Sequence, residues 1–112
     1  MKKYQLGEFE EIVLLTVGVL YDDAYGVSIK LEIKERLDRT VSVGALQSAL
    51  RRLEKKGYLS SKTVKTTEKR GGRPKLLFQL TALGQRALEY SRDSRNQLWN
   101  SIPTDALKLR LG

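Results

Sequence analysis

The sequence contains no cysteine and no histidine, and it has only two prolines and one tryptophan among its 112 residues. Without cysteine, neither a disulfide nor a thiolate zinc site can form. Without histidine, the most common general base and the usual imidazole metal ligand are missing, which excludes every catalytic triad that depends on histidine. No run of about 18 apolar residues occurs, so we expect no membrane-spanning helix.

The N-terminal segment begins with basic residues and then becomes acidic. Glu8, Glu10 and Glu11 directly precede the first apolar stretch. A secretory signal does not place acids at that point. We therefore expect a cytoplasmic protein with no membrane partner, and the absence of cysteine fits a reducing compartment.

The net charge of +8 is concentrated in one part of the chain. Residues 51–75 contain ten Lys or Arg and two Glu, whereas all other positions together hold eleven basic and eleven acidic residues. A charged stretch is often only a solvated surface. A neutral body with one strongly basic segment instead favours a protein that binds a polyanion.

Hydrophobic periodicity predicts two helices in the first third of the chain. Residues 8–21 begin with acids, which suit a helix N-terminus, and continue with apolar residues on both faces, which indicates a central, buried helix. The segment 22–26 is typical of a turn. Residues 27–39 have apolar side chains every four positions and predict a second, amphipathic helix. On the first helix, one predicted apolar face comprises Ile12, Leu15, Val19 and Leu20, and the other includes Val13 and Val17.

A third helix is predicted over residues 40–57, with Ser42 as its N-cap and Gly57 at its C-terminal end. Its leucines repeat at core spacing, and its opposite face carries small and amide side chains followed by basic ones. We interpret the leucines as ordinary core residues. They are Leu46, Leu50 and Leu53.

The segments 58–67 and 75–80 predict two strands joined by a hairpin loop, which contains Gly71 and Gly72. Pro74 suits the loop edge or the first strand position. In the second strand, alternation predicts one apolar face made of Leu76, Phe78 and Leu80.

Thr81 is the predicted N-cap of a last helix that reaches Pro103. This helix has more apolar surface than a lone exposed helix should carry, which predicts a dimer interface. The expected interface residues are Leu88, Leu98, Trp99 and Ile102.

Three helices followed by a two-stranded hairpin are typical of a winged helix-turn-helix. The predicted fold class is therefore mainly α with a small antiparallel β-hairpin (α+β). We predict a DNA-binding domain over residues 1–80 and a dimerisation helix with a tail over residues 81–112. In this fold the third helix enters the major groove, and the hairpin, or wing, reaches the backbone or the minor groove.

The sequence also resembles the PadR family of bacterial transcriptional regulators. The matching segments are "LGEFEEIVLLTV", "AYGVSI", "SVGALQSALRRLEKKGYL" and "GGRPKLLFQLTALGQRAL", which extend from Leu6 to Leu88. The resemblance implies a homodimeric repressor whose last helix makes the main dimer contacts. Many members of the family release DNA when a small aromatic compound binds, so the resemblance also implies such an effector as a partner.

Two positions depart from the family pattern. Gln47 replaces a tyrosine that is common in the third helix, and Ser48 replaces a proline or alanine. The base preference of the family therefore does not transfer, and Gln47 is suited to adenine through its N6 and N7 edge. The short region after Leu88 resembles a subgroup with a single terminal helix.

The predicted DNA contacts fall on the third helix and on the wing. Small and amide side chains of the helix should reach bases, its arginines either bases or phosphates, and its lysine mainly phosphate. We expect the loop within 68–75 to be mobile without DNA and ordered with it, with Arg73 nearest the minor groove. The predicted DNA-binding residues are Ser42, Gln47, Ser48, Arg51, Arg52, Lys55, Lys69, Arg70, Arg73 and Lys75.

Alternatives remain at this stage. A winged helix that binds RNA explains the charge equally well, although the basic segment carries only Tyr58 for base stacking. A protein-binding winged helix fits the clustered charge less well. An enzyme fits least, because the adjacent Asp22 and Asp23 do not converge on one substrate and the Gly-Gly segment lacks phosphate-loop spacing. Trp99 is expected either to pack against a partner subunit or to stack on a planar ligand. No cofactor is expected.

Overall fold

The computed structural model describes residues 4–65 and 74–107. Within these ranges the protein is mainly helical with a two-stranded antiparallel hairpin, which confirms the predicted fold class. None of the helices in these ranges is long and apolar enough to cross a membrane. The elements are α1 (Glu8–Leu20), a 3-10 turn (Tyr21–Asp23), α2 (Gly26–Leu37), α3 (Val43–Lys55), β1 (Leu59–Val64), β2 (Lys75–Leu80), α4 (Ala82–Asn100) and α5 (Thr104–Leu107).

Both predicted N-caps are confirmed. The Ala45 N–H donates to Ser42 Oγ at 3.1 Å at the start of α3, and the Gly84 N–H donates to Thr81 Oγ1 at 3.0 Å at the start of α4. Each bond satisfies one of the backbone donors that a helix N-terminus leaves free. The boundaries of α3 and α4 are therefore set by local chemistry that is visible in the sequence.

Gly57 ends α3 in a left-handed conformation, with φ at +82°. The next N–H, from Tyr58, returns to the Leu53 carbonyl at 2.9 Å, and the Gly57 N–H bonds the Glu54 carbonyl at 2.9 Å. This pair of bonds is a Schellman motif, which glycine forms most easily. It turns the chain from α3 directly into β1.

Helix α1 is central, as predicted, but one predicted apolar face is not its core face. Val13, Leu14 and Val17 are almost fully buried, whereas Leu15 and Val19 are 49% and 54% exposed. The reason is that α2, α3, α4 and the hairpin all pack against one side of α1. Nothing within residues 4–65 and 74–107 fully covers the other side of α1.

The hairpin pairs in register from Leu59 opposite Leu80 to Val64 opposite Lys75. The predicted apolar face of β2 is only partly buried, because Leu76 near the loop is 47% exposed. Leu77, on the opposite face, is buried instead. Tyr25 forms an isolated β-bridge with Leu77, and the Phe78 N–H donates to the Ala24 carbonyl at 2.9 Å. The segment before α2 thus pairs with the edge of β2 that β1 leaves free.

Helix α4 begins against the core and then leaves it. A Cβ atom on the buried Gly84 would lie 2.2 Å from the Tyr58 carbonyl oxygen, so only glycine fits where α4 crosses the start of β1. Ala87 is fully buried, but Leu98 and Trp99 in the last turns are 73% and 61% exposed. The last turns of α4 therefore present apolar surface that the described residues leave exposed.

Candidate nucleic-acid interface

Helix α3 has a buried side and an outward face. Leu46, Ala49, Leu50 and Leu53 are buried on the core side. Because an α-helix turns 100° per residue, the positions opposite this side repeat at intervals of three and four. We define the outward face of α3 as Gly44, Gln47, Ser48, Arg51 and Lys55, all of them exposed except Ser48, which is half-buried.

Two cations on this face have no partner among the described residues. Neither Arg51 nor Lys55 makes a hydrogen bond or an ion pair within residues 4–65 and 74–107. Both side chains are exposed, so their charges are available to an external anion. Their position, one turn apart in the C-terminal half of α3, suits two successive contacts along one groove.

Arg52 is placed differently. Its Nε lies 3.1 Å from Oε2 of Glu10, a residue of α1 that is 5% exposed. Lys56 Nζ lies 2.9 Å from Oε1 of the same carboxylate and donates to the Gln5 carbonyl at 2.9 Å. Arg52 was predicted to bind DNA, but the structure places it at the edge of α3 that faces α1 and does not group it with Arg51 and Lys55.

Glu10 itself is held in its charged form. Burial of the carboxyl raises its pKa. Hydrogen bonds from the Gly7 N–H, Lys56 and Arg52 stabilise the charged form and together bring the pKa below its ordinary value. The Gly7 N–H donates to Oε1 at 2.8 Å, so the carboxylate also caps α1. One buried acid thus joins the start of α1 to the end of α3.

Some of the other predicted DNA contacts lie within the residues that the structure describes, and the rest lie outside them. The Oγ of Ser42 accepts the capping bond from Ala45. Lys75 is exposed at the start of β2, with Nζ 6.0 Å from the centre of the Tyr25 ring. The predicted contacts Lys69, Arg70 and Arg73, together with Gly71, Gly72 and most of the loop expected to be mobile, lie outside the described residues.

An open cavity of about 570 Å³ lies between the start of α2, the start of α3 and β2. The sequence predicted Gln47 and Lys75 as interface residues but not that they line one cavity. It did not predict that Lys30 and Tyr25 line the same cavity. No local pattern of the sequence places Lys30 beside Gln47 and Lys75, because the fold alone brings these residues to one cavity. The cavity is lined by Asp23, Tyr25, Gly26, Val27, Ser28, Lys30, Val43, Leu46, Gln47, Pro74, Lys75, Leu76 and Phe78.

The four predicted dimer residues do not form one uniform surface. Leu98 and Trp99 are largely exposed, Ile102 is half-buried, and Leu88 packs against the core of its own chain. Additional exposed apolar side chains lie on α1 and elsewhere on α4. Among them are Leu15, Val19, Leu83 and Tyr90.

The sequence matches the model of the transcriptional regulator PadR-like family over residues 14–90, which is more than half of the chain. No curated protein matches it significantly. The fold is similar to that of a PadR-like transcription factor from Bacteroides fragilis, with 28% identity, 83% of this chain and 84% of that chain covered, and a TM-score of 0.71. It is also similar to a PadR family transcription regulator from Clostridium difficile R20291, with 24% identity, coverage of 80% and 91%, and a TM-score of 0.64. A PadR family transcriptional regulator from Eggerthella lenta DSM 2243 has 23% identity, coverage of 83% and 80%, and a TM-score of 0.67.

Proposed function

This chain belongs to the PadR-like family of transcriptional regulators, and from that premise we propose that it is a homodimeric, cytoplasmic repressor that binds specific duplex DNA. The family consists of regulators rather than enzymes, which agrees with the prediction that this chain is not an enzyme. The observation that carries the proposal is the outward face of α3, where Arg51 and Lys55 are exposed and have no partner among the described residues.

Four residues of this face have proposed roles. Gln47 and Ser48, in the N-terminal half of α3, contact base edges in the major groove. Arg51 contacts a base or a phosphate, and Lys55 binds phosphate. Lys75 and the loop residues Lys69, Arg70 and Arg73 extend the basic surface toward the backbone or the minor groove.

The proposed dimer forms through the region after residue 80, with help from α1. The support for this proposal is the exposure of Leu98 and Trp99 on α4 and of Leu15 and Val19 on α1, because several large apolar side chains left exposed on a small domain suit an interface. A two-fold dimer places its two α3 helices in major grooves about one helical turn apart. We therefore expect a palindromic site.

Trp99 is proposed to pack in the dimer interface. Its indole is 61% exposed in the single chain and stands beside Leu98, which suits an apolar partner surface. The family resemblance also implies a small aromatic effector, and the second proposed role of the Trp99 ring is to stack on it.

Truncation after Leu88 should abolish the dimer, and sedimentation of the truncated chain tests this. A truncated chain that remains a stable dimer would place the interface elsewhere.

Duplex DNA is favoured over RNA by the burial of Tyr58. That residue was the aromatic candidate for base stacking in the basic segment, but it is only 5% exposed, and its hydroxyl accepts the Gln5 N–H at 3.2 Å. The outward face of α3 contains no aromatic side chain. Binding of duplex DNA and of RNA of the same sequence can be compared directly.

Selection of bound duplexes from a random pool tests the proposed function. We expect a palindromic preference and an affinity that falls steeply as salt is raised, because neutralised phosphates release counterions. Gln47→Ala should then lose about 1–3 kcal/mol on the selected site and relax one base position. Failure to enrich any sequence would contradict specific binding, and an affinity that hardly depends on salt would contradict phosphate contacts.

A further inference from the structure

Three exposed apolar side chains converge on the cavity beside α3. Val27, Val43 and Leu76 are 79%, 62% and 47% exposed, and all three line the cavity. Single exposed apolar residues are common and need no explanation. Three residues from α2, α3 and β2 that line the same cavity form a patch.

The surroundings of this patch restrict what binds there. Lys30 and Lys75 line the same cavity, and so does the Gln47 amide. Asp23 also lines the cavity, so the lining carries two positive charges and one negative charge. An occupant that fits this lining carries net negative charge, a group that bonds an amide and an apolar group. In the major groove of duplex DNA, the phosphates, the base edges and the 5-methyl group of thymine meet this description.

Val43 is the member of the patch nearest to the proposed base contacts. It lies in the first turn of α3, and it precedes Gln47 by four residues, so the two side chains are neighbours on the helix surface. Folding does not explain the choice of valine here, since the side chain is mostly exposed and β-branched residues are not favoured in helices. The valine methyl groups are thus available to an external apolar group.

From these observations we infer that Val43 is a specificity-determining residue that contacts the 5-methyl group of a thymine. The inference rests on the proposed function, since it assigns a base contact to a residue beside the outward face of α3. One turn of α-helix advances about 5.4 Å, whereas adjacent base pairs are about 3.4 Å apart. The contacted thymine therefore lies one or two base pairs from the position that Gln47 reads.

Replacement of thymine by deoxyuridine tests this contact, because it removes the methyl group and leaves every hydrogen-bonding group of the base in place. Each thymine of the selected duplex is replaced singly, and binding by the full-length protein is measured. We expect about a fourfold loss at one thymine in each half-site, the value for one buried methyl group. That thymine should lie one or two base pairs from the position relaxed by Gln47→Ala.

Val43→Ala completes a double-mutant cycle with the uracil duplex. The variant should bind the thymine duplex about fourfold more weakly per contact and should bind the thymine and uracil duplexes equally well. Val27→Ala is the matched control, since it truncates another mostly exposed valine that lines the same cavity, on α2. This control should keep the full difference between thymine and uracil.

The outcomes separate the inference from the proposed function. Specific binding that tolerates uracil at every position, or a selected site without thymine near the Gln47 position, overturns the inference and leaves the proposed function intact. A thymine–uracil difference that persists in Val43→Ala also overturns it. If Val43→Ala instead weakens the dimer in sedimentation without changing that difference, the patch is an interface between copies. Loss of all sequence preference in the wild-type protein overturns the proposed function itself.

Discussion

Two adjacent arginines of α3 are both exposed but differ in their partners. Arg51 is exposed on the outward face and has no partner among the described residues, whereas Arg52 is paired with the buried Glu10 of α1 at 3.1 Å. The same carboxylate also holds Lys56. A count of positive charges in the sequence therefore overstates the charge that is available to DNA. The difference also shows how α3 is held, since its α1-facing edge is fixed by ion pairs while its outward face stays free.

The strongest test of the fixed edge is Glu10→Ala. Removal of this carboxylate leaves Arg52 and Lys56 without their anion and the Gly7 N–H without its acceptor, so we expect a loss of about 2–3 kcal/mol in the free energy of unfolding. Urea denaturation measures it. Glu8→Ala is the control in the same turn of α1, because Glu8 forms an exposed pair with Arg39 and should cost less than about 1 kcal/mol. Equal losses of unfolding free energy in the two variants would show that the buried Glu10 stabilises the fold no more than the exposed Glu8.

Gly44→Ala tests whether the outward face of α3 approaches DNA closely. A Cβ atom at Gly44 would meet nothing within 4 Å among the residues that the structure describes, so alanine should stabilise α3 by about 0.5–1 kcal/mol. The same methyl group would project from the face that we place against DNA, and binding should weaken although stability rises. Thermal unfolding and DNA titration of one preparation measure both effects.

Gly18→Ala is the control for that variant. A Cβ atom there would meet Leu80 at an ordinary 3.9 Å, and Gly18 lies on α1, away from the outward face of α3. We expect unchanged DNA affinity in this control. Unchanged affinity in Gly44→Ala as well would mean that α3 does not approach DNA closely at this position.

The smallest expected effect is the loss, at acid pH, of the stability that the Glu10 ion pairs contribute. The pKa of Glu10 is lowered in the folded protein relative to its ordinary value of 4.5, so its contribution to stability is fully present above that pH. The contribution is lost as the pH falls through the lowered pKa. Wild-type stability should therefore fall more between pH 5 and pH 3 than the stability of Glu10→Gln, in which all other carboxylates are retained. Parallel declines in urea denaturation would contradict this assignment.

Local features of the fold could be predicted from the sequence because they depend on neighbouring residues. Ser42, Gly57 and Thr81 mark the helix ends through caps that span only a few residues, and the limits of β2 follow from its composition. The presence of a winged helix-turn-helix then follows from the order of the elements.

Long-range features could not be predicted in the same way. The pairing of Arg52 with Glu10 joins residues 42 positions apart, and no local pattern distinguishes Arg52 from Arg51. The bridge between Tyr25 and Leu77 likewise depends on the tertiary arrangement, and so does the burial of Leu77 rather than Leu76. Burial of one side of α1 is decided by where its neighbours pack.

The most direct measurement is the DNA affinity of Arg51→Ala and Arg52→Ala over a salt series on the selected duplex. Both variants remove one positive charge from adjacent positions of α3. We predict that Arg51→Ala weakens binding by about 1–3 kcal/mol, or lowers the salt slope by about one for each protomer, and leaves stability unchanged. Arg52→Ala should reduce stability slightly and change DNA binding little. Equal losses of affinity in the two variants, or a larger loss in Arg52→Ala with unchanged stability, would contradict the division of α3 into a fixed edge and a DNA-binding face.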